Sequence, residues 1–154
     1  IKVLHKHKIN VHGMFISDGF CDAYHKLGVD SLQLCILVPI LGSKLYTAMK
    51  SSGRIMADKF PSDWRLFDGG HVVHWPDNLS PVEMQRQTVE SLRKYYSRAN
   101  IVKLFLQGKF VNSFVRRQGH DVVKKWEAQN ASYYTRLKKR AHIDKSLGFQ
   151  QGNT

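Results

Sequence analysis

Three sets of residues in this 154-residue chain are of types that can do chemistry. His71 and His74 form a His-x-x-His pair that could contribute to a metal site. On an extended segment that spacing sends the two rings to opposite faces, and no thiol or carboxylate stands at a fixed offset beside them. The plainer reading is one packed and one exposed histidine. His5-x-His7 is weaker, since its neighbours are lysines. Cys21 and His25 fall at i, i+4, one helical turn apart, where an imidazole could activate a thiol, although the pair has little specificity. Cys35, in the middle of an apolar run, reads as a small buried residue. Two cysteines alone build neither a disulfide scaffold nor a four-thiolate zinc site, and they fit a reducing, cytoplasmic setting. There is no Gly-rich phosphate loop, no His-Glu-x-x-His and no Gly-x-Ser-x-Gly.

The elements that must position these residues follow from periodicity and turn chemistry. Ile1, Val3, Leu4 and His7 keep helical spacing, and residues 10–16 then turn continuously apolar, which predicts the last turn of a helix running into a buried strand. Asp18 and Gly28 bracket a short helix over 20–27. Residues 31–39 are nearly all apolar, as expected of a strand buried on both faces and ended by Pro39. Ser43 caps a helix through Met49, which Gly53 terminates. Strand, helix, strand, helix with short connections is the βα pattern of a parallel sheet. Residues 56–79 form an aromatic-rich connection expected to pack over something, with a short strand at 71–75. Ser80-Pro81-Val82-Glu83 is a capping box, opening a helix to about Tyr96 with Met84, Val89, Leu92 and Tyr96 inward. A second helix from about Ala99 carries Ile101, Leu104 and Phe105 and, past Gly108, Val111, Phe114 and Val115. A third from about Asp121 carries Val122, Trp126, Gln129, Tyr133 and Leu137. The last residues, 149–154, are expected to fray.

Composition bounds the class. At 42% hydrophobic and 23% charged residues the chain is globular rather than disordered. Its longest nearly uncharged run, 27–43, is too short to span a bilayer, so no membrane partner is expected. Net charge is +12, and it is uneven. Residues 93–154 hold 14 basic and 3 acidic residues, against 10 and 9 in residues 1–92. The basicity therefore belongs to the C-terminal helices, as a solvated helical face or as a surface for a polyanion.

Several stretches also match a family pattern. Ile1-Lys-Val-Leu-His-Lys-His-Lys-Ile-Asn-Val-His-Gly-Met-Phe-Ile16 resembles the fourth helix and fifth strand of radical S-adenosylmethionine enzymes of the cobalamin-binding group. Ser31-Leu-Gln-Leu-Cys-Ile-Leu-Val-Pro-Ile-Leu-Gly-Ser-Lys-Leu-Tyr46 resembles their sixth strand, which reads Q-x-x-I-L-T-P-L-P-G-T-x-L-Y. Gly53-Arg54-Ile55, Asp63-Trp64, Phe67-Asp68-Gly69, His71-Val72-Val73, Pro76, Leu79-Ser80-Pro81 with Glu83 and Gln85, and Tyr95-Tyr96-Ser97 are similar to the segment after the barrel. The match runs in order over about residues 1–105.

The resemblance implies an α/β fold: the last two βα units of a partial parallel βα barrel in residues 1–55, the aromatic-rich connection in 56–79, and a basic, mostly helical C-terminal extension in 80–154. It implies radical chemistry supported by S-adenosylmethionine, a [4Fe–4S] cluster and cobalamin, leading to methyl transfer or rearrangement. By the match, Gly13, Ile16, Gln33, Ile36 and Pro39 would line the cofactor site. The chain departs from the family in lacking the C-x-x-x-C-x-x-C cluster motif and the cobalamin domain. Ser17 stands where the family has Gly, Leu41 replaces the second Pro of P-L-P-G, and Val38 replaces Thr. The expectation is thus a C-terminal fragment that is not competent alone, that binds none of these cofactors stably, and whose partner is the missing N-terminal part of the same protein. The alternative is a small basic module for nucleic acid or an acidic surface, with Tyr95, Tyr96, Trp126, Tyr133 and Tyr134 available to stack on bases. It ranks second because many of these rings fall at core spacing.

Overall fold

A computed structural model describes residues 1–17 and 27–146, with the backbone alone from residue 142. The expected helix over 20–27, with Cys21 and His25, lies outside the described residues but for Leu27, as does the tail 149–154. The fold is mixed α/β, with two parallel strands and a majority of helix. A one-turn helix, α1 (Lys2–Lys6), leads into β1 (His12–Ser17), which pairs in parallel with β2 (Ser31–Ile36). His12 lies opposite Ser31 and Ser17 opposite Ile36. Then come α2 (Lys44–Ser51), a short 3₁₀ turn (Trp64–Leu66), α3 (Pro81–Tyr95), α4 (Arg98–Leu106), α5 (Phe110–Gln129) and α6 (Ala131–Ser146).

Strand alternation decides which way the sheet faces. Leu32, Leu34 and Ile36 of β2 are buried, and Gly13 and Phe15 of β1 turn the same way. They pack with Val29 against Tyr95, Tyr96 and Leu92 at the end of α3 and against Val123 of α5. The opposite face is open. Met14 and Ile16 are 66% and 71% exposed, Gln33 is exposed and Cys35 half-buried. The expectation of a second strand buried on both faces through Pro39 is therefore corrected: it ends at Ile36, and helices cover one face of it among the described residues. An apolar run records how well residues suit burial, not how many layers are present to bury them.

Residues 71–74 also differ from expectation. They form no strand with alternating faces. One antiparallel bridge, Ile55 with His74, is made, and all four residues are buried. Val72 N–H donates to Gln85 Oε1 at 3.0 Å and to Tyr133 Oη at 2.9 Å. Val72 packs with Ile36 and Met84, and nearby Met56 packs with Tyr133 and Leu137. The connection is thus part of the core that joins β2, α3 and α6: the backbone groups of Val72 are satisfied by side chains, while Val73 C=O accepts from Met56 N–H and Trp75 N–H donates to Arg54 C=O.

Helix starts follow the sequence closely. Ser43 Oγ accepts from Tyr46 N–H at 3.1 Å and Ser80 Oγ from Glu83 N–H at 3.2 Å. The second half of the expected capping box is not made, because Glu83 turns to Arg86 and Gln87. Ser97, unforeseen as a cap, accepts from Asn100 N–H. The helix breaks shift. Gly108, at φ +72°, ends α4, and α5 then runs unbroken through Asp121 to Gln129. Phe105, Val111, Phe114 and Val122, expected inward, are exposed. Tyr133 and Leu137 are buried as expected.

Candidate functional site

The edge of β2 opposite β1 collects the polar chemistry of the fold. Tyr96, at the end of α3, brings its hydroxyl to Leu32, accepting from its N–H at 2.8 Å and donating to its C=O at 2.6 Å. Further along, the turn Asp68-Gly69-Gly70 closes on the strand, and Ile36 N–H donates to Gly69 C=O at 2.7 Å. Asp68 Oδ1 accepts from Gly70 N–H at 2.8 Å, which shapes this turn. Gln85 of α3 fastens it from below, donating through Nε2 to Gly70 C=O at 2.9 Å. Between the tyrosine and the turn lies a pocket of about 460 Å³. Gln33, Cys35 and Gly69 line it, and Leu92, Val123 and Trp126 are among its apolar walls.

Both histidines of the His-x-x-His pair are buried, which corrects the expectation of one packed and one exposed. His71 has Asp68 Oδ1 2.8 Å from Nδ1 and Asn130 Oδ1 2.9 Å from Nε2, and Asn130 Nδ2 donates to Trp126 C=O. Both ring nitrogens are committed, so His71 ties the turn to the junction of α5 and α6. Among the described residues His74 Nδ1 has no hydrogen-bond partner. Burial first, then the positive charge of Arg54, pushes its pKa down to about 4, against the opposing pull of Asp77, so the ring is neutral at pH 7. Among the described residues no group of three or more His, Cys, Asp or Glu side chains could hold a metal ion. His5 sits on Asp30 instead, with Nε2 2.9 Å from Oδ2.

The five residues singled out for cofactor binding do not share one surface. Gly13 and Ile36 lie on the covered face, Ile16 and Gln33 on the open face, and Pro39 is buried beyond the end of β2. A Cβ on Gly13 would come 2.7 Å from Phe15 Cε2 and 3.1 Å from Val29 Cγ1, so the close approach allowed there is to the protein's own core. Of the five, Gln33 lines the pocket. Cys35 is the one thiol among the described residues, so they do not fit a [4Fe–4S] cluster.

Sequence reasoning missed the groups that hold this region together. Asp30 Oδ2 accepts from Val11 N–H at 2.7 Å, and Asp30 Oδ1 meets Asn112 of α5. Arg116 donates to Asp30 C=O at 3.1 Å and Tyr95 C=O at 2.7 Å. Tyr95 Oη donates to Val29 C=O at 2.6 Å. The signal available was the doubled tyrosine, 95–96, two rings buried at the end of α3.

No family model, curated protein or solved structure matches the chain. No helix among the described residues is long and apolar enough to cross a membrane.

Proposed function

We propose that this chain is the C-terminal part of a cobalamin-dependent radical S-adenosylmethionine enzyme, contributing the last two βα units of its partial barrel and a helical extension. The observation that carries the reading is the open face of the parallel pair. Met14 and Ile16, two large apolar residues, stand exposed beside Gln33 on a strand face that helices cover only from behind. A face of this kind, on parallel strands, is what a barrel interior presents when further strands complete it. The exposed apolar residues of α4 and α5 (Val102, Phe105, Leu106, Phe110 and Phe114) give the reading a second surface for the rest of the protein. The cluster, S-adenosylmethionine and cobalamin belong, on this reading, to the part that precedes these residues. This chain's own contribution is Ile16 and Gln33 on the open face, with Gly13, Ile36 and Pro39 shaping the strands from the covered side.

Three of the five rings on which the nucleic-acid alternative relies face inward. Tyr95, Tyr96 and Tyr133 are buried, and their hydroxyls are bonded to the backbone of residues 29, 32 and 72.

The coding sequence upstream of Ile1 tests the reading directly. The expected result is an in-frame Cys-x-x-x-Cys-x-x-Cys roughly 150 residues earlier, the distance set by the first barrel units. Its absence from that frame overturns the assignment. Full-length protein, reduced anaerobically with S-adenosylmethionine, is expected to yield 5′-deoxyadenosine, and this chain alone to yield none.

A further inference from the structure

Two tyrosine hydroxyls in this molecule do the same work. Tyr96 Oη satisfies both backbone groups of Leu32, and Tyr133 Oη satisfies both of Val72, accepting from N–H at 2.9 Å and donating to C=O at 3.0 Å. A phenol oxygen is donor and acceptor at once, so one atom serves a whole residue. Leu34 is the next position on the same edge as Leu32. Ser31 N–H reaches Val11 C=O and Leu37 N–H reaches Ser17 C=O, so the odd-numbered residues of β2 bond β1. The even-numbered residues point their N–H and C=O to the opposite edge. There Leu32 meets Tyr96 and Ile36 N–H meets Gly69, while Leu34 has no hydrogen bond among the described residues. Leu34 is buried and lines the 460 Å³ pocket.

We infer that this pocket binds a small hydroxylated aromatic molecule, a phenol, whose hydroxyl serves Leu34 as that of Tyr96 serves Leu32. The ring would rest among Val122, Val123 and Trp126. A buried backbone donor and acceptor call for a partner, and the walls decide its chemistry. Three polar side chains of the walls are occupied. Gln85 binds Gly70 and Val72, Thr88 donates to Met84 C=O, and Asp68 holds Gly70 N–H and His71. An added peptide strand is disfavoured because the residues on either side, Leu32 and Ile36, already have partners along this edge, so one residue of edge is left to pair. A ring with one hydroxyl matches one residue of edge flanked by apolar walls. The proposal rests on Leu34 and the pocket, independently of the family reading.

The test titrates the ¹⁵N-labelled chain with p-cresol, toluene and N-acetyltyrosinamide, following the Leu34 amide signal and its hydrogen exchange. p-Cresol is expected to shift that signal saturably and slow its exchange. Toluene, without the hydroxyl, is expected to bind at least about tenfold more weakly and leave exchange unchanged. Val122→Trp fills the pocket from a position that is 65% exposed, so the fold should survive while the p-cresol response is lost. Binding of N-acetyltyrosinamide as tight as that of p-cresol assigns the site to a tyrosine side chain, and weaker binding to a free phenol. Equal affinity for toluene and p-cresol, p-cresol binding that spares Leu34, or no saturable binding overturns the proposal.

Discussion

Arg116 lies over Tyr95, its guanidinium carbon 3.4 Å from the ring centroid, while its nitrogens donate to the carbonyls of Tyr95, Asp30 and Val29. One side chain thus stacks on the end of α3 and closes the chain entering β2. Burial pushes the Arg116 pKa down and that of the Tyr95 hydroxyl up to about 12, each partly offset by the other. Arg116→Lys keeps the charge but cannot stack or reach three carbonyls from one plane. It is expected to cost about 2–3 kcal/mol, read as a lower urea midpoint at unchanged slope. A loss under about 0.5 kcal/mol would mean the contact carries little of the fold.

Gly119 stands where α5 crosses Tyr96. A Cβ there would overlap ring carbons Cδ1 and Cε1, and the ring cannot swing away because its hydroxyl is held by Leu32. Helix propensity alone favours Gly119→Ala by about 1 kcal/mol. The overlap wins, and a net loss of about 2 kcal/mol is expected. In a Tyr96→Ala background the same substitution should be neutral or stabilising, so a double-mutant cycle separates the clash from the helix effect.

His74 sets an acid dependence. Its pKa is about 4 in the folded chain and near 6.5 without burial. Between those values the unfolded chain binds a proton that the folded chain refuses. Stability should therefore fall as pH drops through 6.5 and level off below 4, by about 3 kcal/mol in all. His74→Leu removes this component. The measurement is the change in urea midpoint between pH 7 and pH 5, and equal changes in the two proteins would contradict the assignment.

The two faces of the parallel pair should respond oppositely. Ile36→Ala opens the core shared with Val72 and Met84 and is expected to cost about 3 kcal/mol. Ile16→Ala and Gln33→Ala, on the open face, should stay within about 0.5 kcal/mol in thermal unfolding. On the family reading, the latter two lower 5′-deoxyadenosine formation by the full-length protein without changing its stability. Full activity in both would remove Ile16 and Gln33 from the cofactor site.

What could be read from the sequence was local. Ser43 and Ser80 announced their helices because a cap is a bond between residues three apart. Leu32, Leu34 and Ile36 announced a strand, yet their neighbours Gln33 and Cys35 could not tell whether a second layer lay above them. Val111, Phe114 and Val122 keep helical spacing and still face outward, since periodicity marks a stripe without supplying its partner. The pocket was illegible for a similar reason. It is bounded by residues near 33, 69, 92 and 123, which only tertiary packing brings together. Tyr96 and Tyr133 read as inward-facing rings, but the work of their oxygen atoms on backbone far upstream was not legible.

That reach has a consequence for how the chain is made. Tyr96 closes on Leu32 across 64 residues, and Tyr133 closes on Val72 across 61. The strands and the buried connection are synthesised first, and each must wait for a tyrosine that leaves the ribosome later. Until then the β2 edge and residues 71–73 are open to wrong pairings. The α/β part should therefore acquire protease resistance only once Tyr133 has emerged from the ribosome, with α6 acting as the latch of folding.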